Sequence, residues 1–85
     1  MEAKSPESAL TVYWRPMCGY CAILKRALDD RGIAYDDVDI WTHRDQAEVV
    51  RRANGGDELV PTVRIGETFM ANPSVDEVLA VLDAA

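Results

Sequence analysis

Two cysteines, Cys18 and Cys21, stand where a strand pattern gives way to a helix pattern, and this junction constrains the fold more than any other feature. Residues 9–14 form a short apolar run rich in β-forming residues, which predicts a buried strand. Residues 18–31 carry apolar side chains at helical spacing, and Gly32 follows where helices commonly end. The chain must therefore adopt a fold in which a strand leads, after a short turn, into a helix that begins at a cysteine.

The rest of the chain extends this unit to four strands and three helices. The further predicted elements are a strand at 33–40, a helix after Thr42 that stops at 54–56, strands at 62–65 and 68–70, and a helix that opens at 72–74. The first strand–helix–strand unit requires a right-handed crossover between parallel strands. A Gly-Glu turn between the last two strands indicates a hairpin. The order β-α-β-α-β-β-α predicts an α/β fold, a four-stranded mixed sheet with helices on its faces.

The two later helices carry recognisable start signals. Thr42 followed by Asp45 is typical of an N-cap with an acid in the first turn. For the last helix, Ser74 with Glu77 fits a capping box, and Asn72 with a proline at the first helical position is an equally good start. That helix has an apolar stripe, which we expect to face the core, with a partner-binding face as the alternative. The stripe consists of Val75, Val78, Leu79 and Leu82.

Composition limits the chain to one small domain and excludes several functions. Its 85 residues, 48% hydrophobic and 28% charged, suit a single domain at 9–85 behind a flexible tail at 1–8. No apolar run approaches ~18 residues and the start lacks a secretory signal pattern, so we expect no membrane partner and a cytoplasmic location. A net charge of −6 disfavours nucleic acid and anionic lipid as partners.

The position of Cys18 favours a nucleophilic role for its sulfur. The first turn of a helix has unpaired N–H groups and a partial positive charge, and both stabilise a thiolate. Arg15, three residues earlier, adds a cation nearby, so we expect Cys18 to be appreciably ionised at neutral pH. Cys21 lies one turn later and begins the apolar stripe of its helix. We expect it to be the more buried cysteine and to resolve a mixed disulfide formed at Cys18.

Two other interpretations of the cysteine pair stay open. The sulfurs can be two small buried hydrophobic groups, or half of a metal or iron–sulfur site shared between chains. Zinc normally takes four ligands, and the chain adds one histidine, His43, and no second CxxC, so we expect no metal within one chain. We place His43 on the surface at a helix start. The acidic residues Asp36, Asp37 and Asp39 alternate along a strand and so do not converge easily on an ion.

Val60 and Pro61 precede the third strand and support the redox interpretation. A proline at this point removes a ladder donor. Most X–Pro bonds are trans, but a cis bond here would leave the Val60 backbone free to pair with an extended substrate. We therefore assign substrate binding to Val60 and Pro61, with Arg15. Tyr20, inside the motif, either lines a thiol-binding groove or covers the helix surface, and Trp14 is expected in the core.

Taken together, these motifs resemble the glutaredoxins, the small form of the thioredoxin fold. Over residues 9–84 the chain is more closely similar to the mycoredoxins, the glutaredoxin-like proteins of bacteria that use mycothiol. CxxC alone would not be specific, but the combined stretches are. They are Val12–Cys21, which ends in Cys-Gly-Tyr-Cys, then Ile33–Asp36, Val38–Ile40, Asn54–Gly56, Val60–Val63, Asn72–Ser74 and Asp76–Val78.

The resemblance implies a monomeric reductase of mixed disulfides between client proteins and mycothiol, with no bound cofactor. Cys18 would take the mycothiol moiety and free the client, and a second mycothiol would regenerate Cys18. A Cys18–Cys21 disulfide would form as a side state or alternative route, and Pro61 would be the family's cis-proline.

Three departures qualify the resemblance. Glutathione-using glutaredoxins usually carry a Gly-Gly pair and an acid before the last helix, where this chain has Ala71–Val75, so glutathione binding is not expected. Arg15 replaces a common lysine and keeps its charge, and Gly-Tyr replaces Pro-Tyr within the motif. Two alternative functions remain, a thioredoxin-like dithiol donor reduced by a flavoprotein reductase and a carrier of iron–sulfur clusters.

Overall fold

A computed structural model describes residues 9–84, and the predicted tail at 1–8 lies outside the described residues. The elements follow the predicted order β-α-β-α-β-β-α. They are β1 (Leu10–Trp14), α1 (Gly19–Asp30), β2 (Asp36–Asp39), α2 (Arg44–Ala53), β3 (Thr62–Ile65), β4 (Thr68–Ala71) and α3 (Val75–Ala84). No helix in this part of the chain is long and apolar enough to cross a membrane.

The four strands form one mixed sheet in the order β2-β1-β3-β4. β1 pairs in parallel with β2, as the crossover through α1 requires, and antiparallel with β3. β3 and β4 form the predicted hairpin. The carboxyl ends of β1 and β2 therefore lie at the same edge of the sheet, and the segment before β3 reaches that edge from the other side of β1.

The core occupies both faces of the sheet because alternate residues of β1 point to opposite sides. Leu10 and Val12 belong to a cluster with Leu24 and Leu28 of α1 and Val78 of α3. On the opposite face, a second cluster closes under α2, and its members are Tyr13, Ile40, Ala47 and Val50. The sheet is thus covered by α1 and α3 on one side and by α2 on the other, which fixes the start of α1 at the edge where β1 ends.

β2 is shorter than the strand predicted at 33–40. Gly32 has a φ of 68° and its amide donates to the Asp29 carbonyl, while the Ile33 amide donates to the Leu28 carbonyl at 3.0 Å. These two bonds form a Schellman motif that closes α1. Because the Ile33 amide is used in ending the helix, ladder pairing begins only at Asp36.

The prediction of Thr42 as the N-cap of α2 is wrong. His43 occupies that position, exposed as expected, and no side chain caps the helix. The Thr42 hydroxyl instead donates to the Asp39 carbonyl at 3.2 Å, and the Asp39 carboxylate accepts from the Trp41 amide. The tight turn after β2 therefore uses the polar side chain that the helix start would have needed.

The apolar stripe of α3 faces the core, as expected. Val78 is fully buried, and Val75 and Leu82 pack against the core cluster. Leu79 is half-buried. Leu79 therefore lies at the side of the stripe and keeps part of its surface in solvent.

We predict that Ser74→Ala destabilises the protein by about 1 kcal/mol, the usual loss for a helix N-cap. The Ser74 amide donates to Glu77 Oε1 at 2.8 Å, and the Glu77 amide donates to Ser74 Oγ at 3.1 Å, so the capping box marks the start of α3. Urea unfolding measures the loss, and Ser74→Asp, which keeps an acceptor at the cap, should remain close to wild type. Equal stability of the alanine variant and wild type would contradict the role of the box.

Candidate active site

Cys18 is the N-cap of α1, four residues after the end of β1. Its backbone is extended, with φ −101° and ψ 106°, and the Cys21 amide donates to Cys18 Sγ at 3.1 Å. The first turn of α1 contains no acidic residue that would offset the partial positive charge of the helix N-terminus. The sulfur of Cys18 thus occupies the position that a capping oxygen normally takes, where negative charge is favoured.

Cys18 and Cys21 form a disulfide, with their Cα atoms 5.2 Å apart. Cys21 is only 1% exposed, whereas Cys18 is half-buried. The expected difference in burial is confirmed. Attack from solvent on this disulfide is therefore far easier at the Cys18 sulfur than at the Cys21 sulfur.

The rim around Cys18 is apolar and exposed. Met17, which the sequence patterns did not single out, has a φ of 65° and is 87% exposed. This left-handed conformation turns the chain from β1 into α1 and leaves the thioether in solvent next to the cysteine. The residue type gave no signal for this conformation, because a positive φ is uncommon outside glycine, asparagine and aspartate. The only signal was the position of Met17 in the turn between a strand and a helix.

The segment before β3 lies against Cys18. The Val60–Pro61 bond is cis, as the resemblance implied. The Val60 carbonyl oxygen lies 3.9 Å from Cys18 Sγ, and because a disulfide sulfur carries no proton, this is a contact rather than a hydrogen bond. Pro61 is buried, and its carbonyl accepts from the Asn72 amide at 2.8 Å. The structure therefore brings together Cys18, Cys21, Val60 and Pro61.

An ion-pair network holds the segment that carries Val60. The Glu58 carboxylate accepts from Arg44 at 2.7 Å and also from Arg51. The hydrogen bond from Arg44 keeps the pKa of Glu58 below its usual value, and Arg51 acts in the same direction. No sequence pattern pointed to this network, because its members are separated by up to 14 residues and meet only in the folded chain.

A second polar contact anchors the same segment to α2. Asn54 donates through its side chain to the Val50 carbonyl and to Thr62 Oγ1, and Thr62 Oγ1 donates to the Leu59 carbonyl at 2.6 Å. Thr62 is fully buried, so these bonds satisfy a hydroxyl that would otherwise be costly. Val60 thus lies between Leu59 and Thr62, which these hydrogen bonds hold in place.

Arg15 contacts an aromatic ring and a backbone carbonyl, and no hydrogen bond joins its guanidinium to the Cys18 sulfur. Its guanidinium lies 5.6 Å from the centre of the Trp41 ring and donates to the Pro16 carbonyl at 3.2 Å. The sequence patterns assigned no role to Trp41.

Trp14, which we expected in the core, is only half-buried. The Lys25 ammonium lies 3.6 Å from the centre of its ring and pairs with Asp37.

Tyr20 lines a groove of about 430 Å³ between α1 and the start of α3. Cys18 does not line this groove, so the role of Tyr20 in binding a thiol stays a prediction. The walls include Ile23, Leu24, Pro73 and Val75, so the groove is largely apolar. Among residues 9–84, no three His, Cys, Asp or Glu side chains are grouped so that they could hold a metal ion.

A thioredoxin-like sheet with a CxxC disulfide at a helix N-terminus and a cis-proline beside it defines the class of thiol–disulfide oxidoreductases. The glutaredoxin family model matches residues 10–70. The chain belongs to the glutaredoxin family, and it is a glutaredoxin-like thiol–disulfide oxidoreductase.

Curated relatives are similar over most of both chains. A Mycobacterium tuberculosis protein named as a glutaredoxin is 50% identical over 76 residues, 88% of this chain and 90% of its own. Mycoredoxin 1 of Corynebacterium glutamicum is 37% identical over 78 residues, 91% of this chain and 96% of its own. Among solved structures, the glutaredoxin-like NrdH-redoxin of Escherichia coli superimposes with a TM-score of 0.73 at 24% identity, covering 85% of this chain and 92% of its own, which supports the fold.

Proposed function

We propose that the protein reduces mixed disulfides between client proteins and a small thiol, and that this thiol is mycothiol. The observation that carries the proposal is the Cys18 sulfur, reachable from solvent and accepting the Cys21 amide at the start of α1. The similarity to Mycoredoxin 1 supports the choice of thiol. The cytoplasm, where small thiols keep proteins reduced, is the location that suits this reaction, and a monomer suffices for it.

In the first step the Cys18 thiolate attacks the mycothiol sulfur of the mixed disulfide. A new disulfide forms between Cys18 and mycothiol, the old one breaks, and the client leaves as a thiolate that takes a proton from water. The Cys21 amide stabilises the Cys18 thiolate before attack, which raises its reactive fraction. The same interaction makes Cys18 a good leaving group in the next step.

Two routes complete the cycle. The thiolate of a second mycothiol attacks the mycothiol sulfur bound to Cys18, releasing mycothiol disulfide and the Cys18 thiolate. In the other route Cys21, as a thiolate, attacks Cys18 and expels mycothiol, leaving the Cys18–Cys21 disulfide, which two further thiols reduce. Both routes have the same net reaction, in which the mixed disulfide and one further mycothiol give the client thiol and mycothiol disulfide.

Four residues are the proposed substrate contacts, namely Val60, Pro61, Tyr20 and Arg15. The Val60 backbone, beside Cys18 Sγ, would pair with the extended backbone of a substrate, and Pro61 would hold that segment in place. Tyr20 would form one side of the approach to Cys18, where its ring stays largely exposed. Arg15 would act through its position on Trp41.

A paired coupling assay tests the choice of electron donor. We expect the protein to turn over a mycothiol mixed disulfide with mycothiol and its reductase, and to show little turnover with thioredoxin reductase. The reverse result would replace the proposal by the thioredoxin-like donor function. A coloured protein, with absorbance above the aromatic band and no activity in either assay, would indicate an iron–sulfur carrier instead.

A further inference from the structure

Arg15 directly follows β1, and Trp41 comes two residues after the end of β2, so both lie at the edge of the sheet where Cys18 lies. Trp14 and Asp39, the last residues of β1 and β2, are register partners, and the Ile40 amide donates to the Trp14 carbonyl at 2.9 Å. In open α/β sheets, ligands bind in the crevice outside the carboxyl ends of parallel strands. Trp41 therefore lies at the same edge of the sheet as the reactive sulfur.

The Trp41 side chain is held in place but not covered. It is 51% exposed, although tryptophan is buried to a large extent on average. The guanidinium of Arg15 lies over its ring, and the Trp41 amide donates to the Asp39 carboxylate at 2.9 Å. An aromatic ring fixed in this way loses little conformational freedom when a ligand packs on it.

Other cations of this part of the chain are already paired with acids, whereas the Arg15 guanidinium contacts the Trp41 ring and the Pro16 carbonyl and keeps further N–H groups to donate. The Arg44 and Arg51 guanidiniums are both paired with Glu58, and the Lys25 ammonium is paired with Asp37. Mycothiol joins its cysteine to two linked polyhydroxylated rings, which carry no charge. Such rings have an apolar face of C–H groups that packs on an aromatic ring, while their hydroxyls can accept hydrogen bonds from a guanidinium.

We infer that Trp41, held by Arg15, binds the polyhydroxylated rings of the small thiol, and so determines which thiol the site accepts. This inference rests on the proposed function. The rings would pack on the exposed part of Trp41 while the thiol sulfur reaches Cys18. A thiol without such rings, for example cysteine, would gain nothing from Trp41.

The test compares one client peptide in two forms, as its mixed disulfide with mycothiol and with cysteine. We expect Trp41→Ala to raise KM for the mycothiol form by about tenfold, a typical loss for a buried aromatic anchor, with kcat unchanged. The KM for the cysteine form should not change. Trp41→Phe, which keeps an aromatic face, should restore most of the affinity.

Phe69→Ala is the matched control, because Phe69 is also exposed and also lies under an arginine, Arg64, at 5.2 Å. It lies on the edge strand β4, two residues further from the site edge than Ala71. This variant should leave both KM values unchanged. An equal rise in both KM values for Trp41→Ala would indicate a purely structural role and overturn the inference, as would no rise in either.

The outcome for wild type separates this inference from the proposed function. Turnover of the mycothiol form by wild type, with an unchanged KM in Trp41→Ala, would overturn the role of Trp41 alone. Turnover of only the cysteine form by wild type would overturn the proposed function and the inference together.

Discussion

Cys18→Ser is expected to abolish reduction of mixed disulfides, lowering kcat/KM on the order of a thousandfold or more, as is usual when a covalent nucleophile is removed. A serine hydroxyl is not ionised at neutral pH. The remaining sulfur, Cys21, is 1% exposed and cannot readily meet a client disulfide. The assay measures turnover of a mycothiol mixed disulfide, and circular dichroism checks that the variant is folded.

Cys21→Ser is the matched variant. It makes the same cysteine-to-serine change at the second cysteine of the motif, one helical turn away. The Cys21 backbone amide, which donates to Cys18 Sγ, is kept. We expect it to keep part of the activity, because a second mycothiol can complete the cycle. Equal loss in both variants would make the dithiol route obligatory, and activity in Cys18→Ser would rule out Cys18 as the nucleophile.

Leu28→Ala is expected to destabilise the fold by about 3 kcal/mol, within the range measured for buried leucines. Leu28 is fully buried in the cluster between α1 and the sheet. The substitution removes buried apolar surface and leaves a cavity. Because a small domain has on the order of 5 kcal/mol of stability, this single change should remove more than half of it.

Ile23→Ala, on the same helix, provides the comparison for Leu28→Ala. Ile23 is 67% exposed, so its truncation should change stability by no more than about 0.5 kcal/mol. Urea unfolding of the two variants measures both free energies. Similar losses for the two would mean that α1 does not pack through Leu28, contrary to the structure.

Much of the fold was predictable because its signals are local. The apolar run of β1, the helical spacing after Cys18 and Gly32 at the end of α1 each act within a few residues of sequence. The capping box of α3 is another example, since Ser74 and Glu77 lie within one turn. For the same reason, residue spacing alone was enough to place Cys18 at a helix start and Cys21 in the core.

The wrong predictions arose where two local signals competed. Thr42 has the side chain of an N-cap, but the turn after β2 uses its hydroxyl. Ile33 has the character of a strand residue, but its amide closes α1. Sequence patterns rank such alternatives poorly, because each residue has one amide and one set of side-chain atoms, and only the assembled chain decides which partner takes them.

Spacing along the chain was enough to establish the order of the elements and the place of a reactive sulfur at the start of a helix. Three contacts emerged only on folding: the Val60 carbonyl lies 3.9 Å from that sulfur, Glu58 joins Arg44 to Arg51, and Arg15 lies over Trp41. Those contacts join residues distant in sequence, and their geometry is set by strand register and by the packing of helices on the sheet.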